Sequence, residues 1–211
     1  MRYKNWLCFR VKLIIMQSYY LCRHGQTENN KTKTFSGWVD TPLTSRGVLD
    51  AHSTATKLSG VDFDLIISSD LGRAFVTAYI VSRDLGYTDE IMRSDKLREV
   101  SYGDMGGVGI AKAQSIYPGL DTDTNFVAPN GESLGQMQVR VIDFICTLSK
   151  QDNYRNILLV AHGGVIDAVK ASFLNHDLGK YMIEAGITNS HDYVAKFEVA
   201  DNKIVKHEEV V

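Results

Sequence analysis

Cysteine is scarce in this 211-residue chain, and Cys8, Cys22 and Cys146 form no CxxC pair. An odd count at wide spacing excludes a disulfide framework and gives a zinc site no support, so reduced thiols in a cytoplasmic protein are expected. Each thiol reads first as a small buried hydrophobe; Cys22, beside Arg23, is the one whose neighbour suggests sensitivity to oxidation. Charge of one sign is lacking as well, since 23 Lys and Arg against 25 Asp and Glu leave a net charge of −2. Proteins that bind nucleic acid gather a basic excess on one face, and with none here no nucleic-acid partner is expected. A small anion needs only a few local arginines. Residues 1–15 hold no uninterrupted apolar run, because Arg2, Lys4, Arg10 and Lys12 break it. Neither a signal-peptide core nor a membrane span of roughly 20 residues can be built there, and no stable membrane association is expected.

What is present suits one globular domain. The 44% hydrophobic content fills a sizeable core and excludes disorder. Met16 opens the first strand cleanly, so residues 1–16 read as an extension of doubtful role and 17–211 as a single catalytic domain with a small lid around 103–130. No internal repeat or low-complexity stretch appears. Ser18–Cys22, Asp64–Ser68 and Asn156–Ala161 are short apolar runs of the kind that form buried parallel strands, with Ile91–Arg93 as a weaker fourth. Helical spacing follows them: Thr44, an N-cap, opens a helix to Leu58; Ser69 caps one reaching Leu85; Ser133 and Gln136 form a capping box ahead of Leu134–Leu148; and Val165–Phe173 follows the last run. A short helix is expected near Ala111–Tyr117. Tyr193–Val199 and Ile204–Glu209 alternate across a turn as a terminal hairpin does. Repeated alternation of strand and helix predicts a three-layer α/β/α sandwich with a mostly parallel central sheet.

Two strands end in the same device, a histidine followed by glycine: Arg23-His24-Gly25 and His162-Gly163-Gly164. Glycine lets backbone approach a ligand, and a helix starting after the second pair points its N–H groups and positive dipole end at the strand exits. Arg73 stands in the first turn of a helix after another strand and can reach the same crevice. Two arginines, two histidines and a helix terminus meet the demands of phosphoryl transfer, in which three equatorial oxygens stay negatively charged throughout. Imidazole is also a competent nucleophile near neutral pH. Glu99, after a strand and before a Gly-rich stretch, is the best-placed carboxyl to protonate a leaving oxygen and then act as base towards water.

With those segments in order, the chain resembles the histidine phosphatase superfamily, branch 1, the phosphoglycerate mutase-like branch. The resemblance is carried by Arg23-His24-Gly25-Gln26-Thr27 with Asn30, Gly37 to Thr44 with Gly47, and Ser69 to Ala74 with Thr77-Ala78. It continues through Leu97, Glu99 and Gly103, Pro129 to Ser133, and Val160 to Gly163. It implies that His24 is the phosphorylated nucleophile, that Arg23, Arg73 and His162 complete the phosphate pocket, and that Glu99 is the general acid and base. It further implies that Asn30, Gly163, Gly37 and Tyr102 bind phosphate or substrate, and that the chemistry needs no metal or organic cofactor. The mutase subfamily has an Arg directly after the acid–base glutamate and a Lys further on; here Val100 and Ile110 stand in those places, although Tyr102 matches. The expected activity is therefore hydrolysis of small phosphomonoesters through a phosphohistidine. A cofactor-dependent phosphoglycerate mutase and a phosphate-binding regulatory module are the alternatives. Substrate choice is expected to lie in Lys31–Phe35 and Val108–Val127, and the sequence does not fix the oligomeric state.

Overall fold

The first strand, β1 (Gln17–Arg23), alternates its side chains between two hydrophobic cores, and that alternation defines the layers of the molecule. Tyr19 and Leu21 face one core and Tyr20 and Cys22 the other. The computed structural model describes residues 16–151, 153–185, 190–201 and 203–210. The expected N-terminal extension, apart from Met16, lies outside them. Five further strands follow: β2 (Leu65–Ser69), β3 (Met92–Ser94), β4 (Asn156–Ala161), β5 (Val194–Ala200) and β6 (Lys203–Val210). They form one sheet in the order β3-β2-β4-β1-β5-β6, in which β1 to β4 run parallel, β5 pairs antiparallel with β1, and β6 pairs antiparallel with β5.

Among the described residues seven helices accompany the sheet. These are α1 (Glu28–Lys31), α2 (Ser45–Lys57), α3 (Gly72–Asp84), α4 (Ile110–Ile116), α5 (Leu134–Leu148), α6 (Gly163–Leu174) and α7 (Leu178–Ala185). Ala51, Ala55 and Leu58 from the α2 region and Ala78 and Val81 of α3 cover one face of the sheet. Met137, Val141 and Ile145 of α5, Val165 and Val169 of α6, and Leu178 and Met182 of α7 cover the other. This is the expected three-layer arrangement. Each fully buried Leu, Ile or Val contributes about 1.5–3 kcal/mol by leaving water, so the all-buried pattern of β2 and the near-continuous one of β4 anchor the sheet centre.

The capping expectations hold at two helices and fail at a third. Thr44 accepts the N–H of Gly47, and Ser133 and Gln136 form the reciprocal box at the head of α5. Helix α3 begins later than Ser69 suggests, at Gly72, and its first N–H groups are taken instead by the carboxylate of Asp40, at 2.6 Å from Gly72 N and 3.3 Å from Arg73 N. A carboxylate delivered from a distant loop satisfies two donors and meets the positive helix end, which outcompetes the weaker hydroxyl of Ser69. Helix α6 starts two residues earlier than expected, with His162 itself at the N-cap position. Helix α7 was not anticipated, because its eight residues carry too short an apolar pattern to stand out. Cys22 is fully buried and its thiol is pushed up to about 12 by burial, so it is inert rather than oxidation-sensitive.

One close backbone contact sets where β1 ends. A Cβ on Gly25 would meet the carbonyl oxygen of Gly47 at 2.1 Å, and one on Gly47 would meet that of Gln26 at 2.1 Å. The head of α2 and the chain leaving β1 therefore touch through two glycines that nothing larger can replace without movement. Gly47→Ala is expected to cost about 1–3 kcal/mol by overpacking, read as a lower midpoint in urea with an unchanged slope. A midpoint within error of wild type would show that the contact yields freely.

Candidate active site

Parallel pairing of β1 with β4 aligns Arg23 with Ala161, and the pairing extends one residue further as His24 N–H donates to the Ala161 carbonyl at 3.0 Å. The two His-Gly exits thereby lie side by side at the carboxyl edge of the sheet, where α/β folds open their ligand crevice. The rings of His24 and His162 stand edge to face with centroids 5.1 Å apart. Arg73 arrives from α3, beside β2, and its Nε donates to His24 Nε2 at 3.3 Å. Glu99 reaches the head of α6, where its carboxylate accepts the N–H of Gly164 at 3.1 Å and that of Val100 at 3.0 Å.

The tautomer of His24 follows from its partners. Its Nδ1 lies 2.7 Å from the Gly25 carbonyl, which can only accept, so Nδ1 carries the proton and Nε2 carries the lone pair. The donor Nε–H of Arg73 facing Nε2 requires the same assignment. Gly25 is held in turn, since its N–H donates to Thr77 Oγ1 at 3.1 Å while that hydroxyl donates to the Arg73 carbonyl at 2.8 Å. Thr77, one turn into α3, thus ties the loop bearing His24 to the residue bearing the guanidinium. Arg73 is 2% exposed and also donates to two carbonyls, from Nη2 to Gly37 at 2.7 Å and from Nη1 to Val39 at 3.1 Å, with Asp40 alongside at 3.7 Å.

Burial and the two arginines act together on the imidazoles. His24 and His162 are both held well below the usual histidine range, first by burial and then by the positive field of Arg73 and Arg23, so both are neutral at pH 7. Burial lowers Arg73 to about 10, and it remains a cation at neutral pH. Arg23 is lowered by burial and supported by the charges of Glu99, Asp167 and Asp50. Among the described residues, neither ring nitrogen of His162 has a hydrogen-bond partner. A buried imidazole left unpaired beside two guanidiniums is arranged for a ligand rather than for stability.

These groups open onto a cavity of ≈ 570 Å³, within the range of small-molecule sites, lined by Arg23, His24, Asn30, Gly37, Arg73, Glu99, Tyr102 and Gly163 among others. The sequence-selected residues are thus gathered on one cavity, with His162 against His24 beneath it. Asn30 uses its Oδ1 to cap α1 by accepting from Thr27, which leaves Nδ2 as its donor for a ligand. Gly37 has φ +50, and a Cβ there would meet the Val100 carbonyl at 3.0 Å. Tyr102 is buried against Phe35, ring centroids 4.2 Å apart, and burial keeps its hydroxyl protonated. Of the segments expected to choose the substrate, Lys33, Thr34, Phe35 and Ile110 line the cavity. Among the described residues no group of three or more His, Cys, Asp or Glu is placed to hold a metal ion, and no helix is long and apolar enough to cross a membrane.

Sequence reading missed His191, which also lines this cavity. Its Nδ1 donates to the His24 carbonyl at 3.3 Å, and burial and Arg23 lower it to about 4. The signal lay in topology: β5 runs antiparallel to β1, so the residues just before β5 land at the end where β1 delivers His24.

Residues 19–209 match the family model described as the histidine phosphatase superfamily (branch 1). The chain belongs to that superfamily. The adenosylcobalamin/alpha-ribazole phosphatase of Escherichia coli K12 is 31% identical over 84% of this chain and 91% of its own. A 2,3-bisphosphoglycerate-dependent phosphoglycerate mutase from Cytophaga hutchinsonii is 29% identical over 88% and 92%. Among solved histidine phosphatases, the mycobacterial glucosyl-3-phosphoglycerate phosphatase superposes with a TM-score of 0.77 at 26% identity, covering 93% of this chain and 98% of its own.

The neutral imidazoles make a pH prediction. Their folded values lie below the unfolded value of about 6.5, so below that pH the unfolded chain binds more protons and stability falls as acid is added. The melting temperature is expected to drop between about pH 7 and pH 5, less steeply in His162→Asn, and to recover with inorganic phosphate. A wild-type melting temperature flat across that window would contradict the assignment of neutral buried histidines.

Proposed function

We propose that this histidine phosphatase hydrolyses small phosphomonoesters through a phosphohistidine on His24. One observation carries the reading: the Nδ1–H of His24 is engaged by the Gly25 carbonyl, which presents an unprotonated Nε2 to a pocket of buried cations. Nε2 attacks phosphorus, the ester P–O bond breaks, and the departing oxygen takes the proton of the Glu99 carboxyl. Glu99, now a carboxylate, removes a proton from water, whose oxygen attacks phosphorus as the P–N bond breaks and inorganic phosphate leaves. Arg23, Arg73, His162, the N–H groups at the head of α6 and Asn30 hold the equatorial oxygens, whose charge repays the burial of two guanidiniums. Tyr102 and Gly37 shape the wall beside the leaving group.

Hydrolysis is favoured over mutase chemistry by what lines the far side. A mutase must retain a second anion while phosphate is exchanged, yet Ile110 lines the cavity where the resemblance puts a lysine, and Val100 is 2% exposed where it puts an arginine. Neither Ile110 nor Val100 offers a cation to grip a released intermediate. The substrate is a soluble phosphorylated small molecule, and a cytoplasmic setting agrees with the absence of a disulfide among the described residues.

During turnover of a 32P-labelled phosphomonoester, acid-labile label is expected on wild-type protein and none on His24→Asn, with turnover reduced by 10³-fold or more, on the order seen when a nucleophile is removed. Label persisting on the variant would sink the mechanism. Phosphoglycerate interconversion primed by a bisphosphate, without phosphate release from any ester, would replace the hydrolase by the mutase.

A further inference from the structure

Glu99 sits in a segment with little regular structure, yet its backbone is held from several sides. Arg140, in the middle of α5 and only partly exposed, reaches under that segment. Its Nη1 donates to the carbonyls of Lys96 at 2.9 Å, Arg98 at 3.0 Å and Asp95 at 3.4 Å, and its Nη2 to that of Glu99 at 3.4 Å. The same Nη2 pairs with Glu132 Oε1 at 2.5 Å, and that oxygen also accepts the N–H of Ser101 at 3.1 Å. Glu132 N–H donates to the Ser101 carbonyl at 3.0 Å. One ion pair therefore holds the chain immediately before and after Glu99.

None of these contacts touches the cavity, since neither Arg140 nor Glu132 lines it. A half-buried pair adds little to stability once desolvation is counted, and a guanidinium spread over four carbonyls is a costly way to close a surface loop. What it does achieve is position: Glu99 has no helix or strand of its own to aim it, and its side chain must meet the head of α6 within hydrogen-bond distance.

We propose that Arg140 and Glu132 are positioning residues for the acid–base carboxylate of Glu99, fixing it where a leaving-group oxygen departs. The inference rests on the acid–base role assigned to Glu99 above. A positioned acid contributes about 10²–10⁴-fold when the leaving oxygen is basic, and a displacement of about 1 Å can cost 10²-fold. An aryl leaving group such as p-nitrophenolate departs with little need of a proton.

The test compares kcat/KM, which reports steps up to alcohol release, for p-nitrophenyl phosphate and for the alkyl ester glycerol 3-phosphate. Glu99→Gln calibrates the acid: it should lose at least about tenfold more activity on the alkyl ester than on the aryl ester. Arg140→Gln should show the same selective loss, in smaller measure, with near-normal p-nitrophenyl phosphate turnover certifying an intact phosphate pocket. Glu132→Gln, which keeps shape and removes the charge, carries the same expectation should Arg140→Gln not fold. Equal losses on both esters in the folded variants, with Glu99→Gln still selective, would overturn the positioning role and leave Glu99 as the acid. Absence of selectivity in Glu99→Gln itself would remove the acid–base reading on which the inference stands.

Discussion

A guanidinium taken out of water costs several kcal/mol, which charge and hydrogen bonding must offset, and the surroundings of Arg73, 2% exposed, are built around that requirement. The loop from Gly37 to Asp40 wraps it with two carbonyls and a carboxylate. The same carboxylate caps the helix that carries Arg73, so the charge and the element presenting it are held by one residue. Thr77 then joins that helix to the backbone of Gly25 and fixes the ring of His24 against the remaining donor. Loosening this charge would loosen loop, helix start and nucleophile together.

The electrostatic consequence is a site whose resting state favours an anion. Arg23 and Arg73 push protons off His24 and His162, and the carboxylates near them, Glu99, Asp167, Asp50 and Asp40, offset only part of the field. In the proposed mechanism the nucleophile is thus kept unprotonated by the same cations that bind the group it attacks. On that mechanism a single arrangement both binds and activates, and no separate base is called for next to His24. In the proposed mechanism the water-activating step falls instead to Glu99 on the far side, whose carboxyl is held by the N–H groups of Val100 and Gly164.

Local pattern made the strands, the capped helices and both His-Gly exits readable, because each is encoded within a few residues. The pocket residues were legible for a related reason: strand ends and helix starts are positions that a chain can mark with glycine and a capping side chain. What escaped reading depends on pairing across the sheet or across layers. Asp40 caps a helix 32 residues away, and nothing near Ser69 announces a stronger competitor. His191 enters the site only because β5 lies antiparallel beside β1. Glu132 was legible as part of a motif, but its partner Arg140 lies on the polar side of an amphipathic helix, where an arginine ordinarily means solvent.

The cavity is built from two kinds of structure, and the division has a chemical meaning. The end of the cavity that holds His24, Arg73 and Gly163 rests on β1, β4, α3 and α6, all anchored in the two cores. Its far end is made by the chain around Lys33 to Phe35, tied to residues 107–110 by Phe35 N–H to Val108, Gly107 N–H to Phe35 and Ile110 N–H to Lys33. Lys33 occupies the left-handed region with φ 52, and Phe35 packs at a tilt against Tyr102. These contacts are short backbone ties between loops, which tolerate changed side chains far better than a sheet edge does. Ile110 can be replaced without disturbing Arg73, whereas His24 cannot be shifted without disturbing β1. On the proposed function, the transferred group is specified by the core of the fold, and the molecule that carries it by a pair of loops tied through backbone hydrogen bonds.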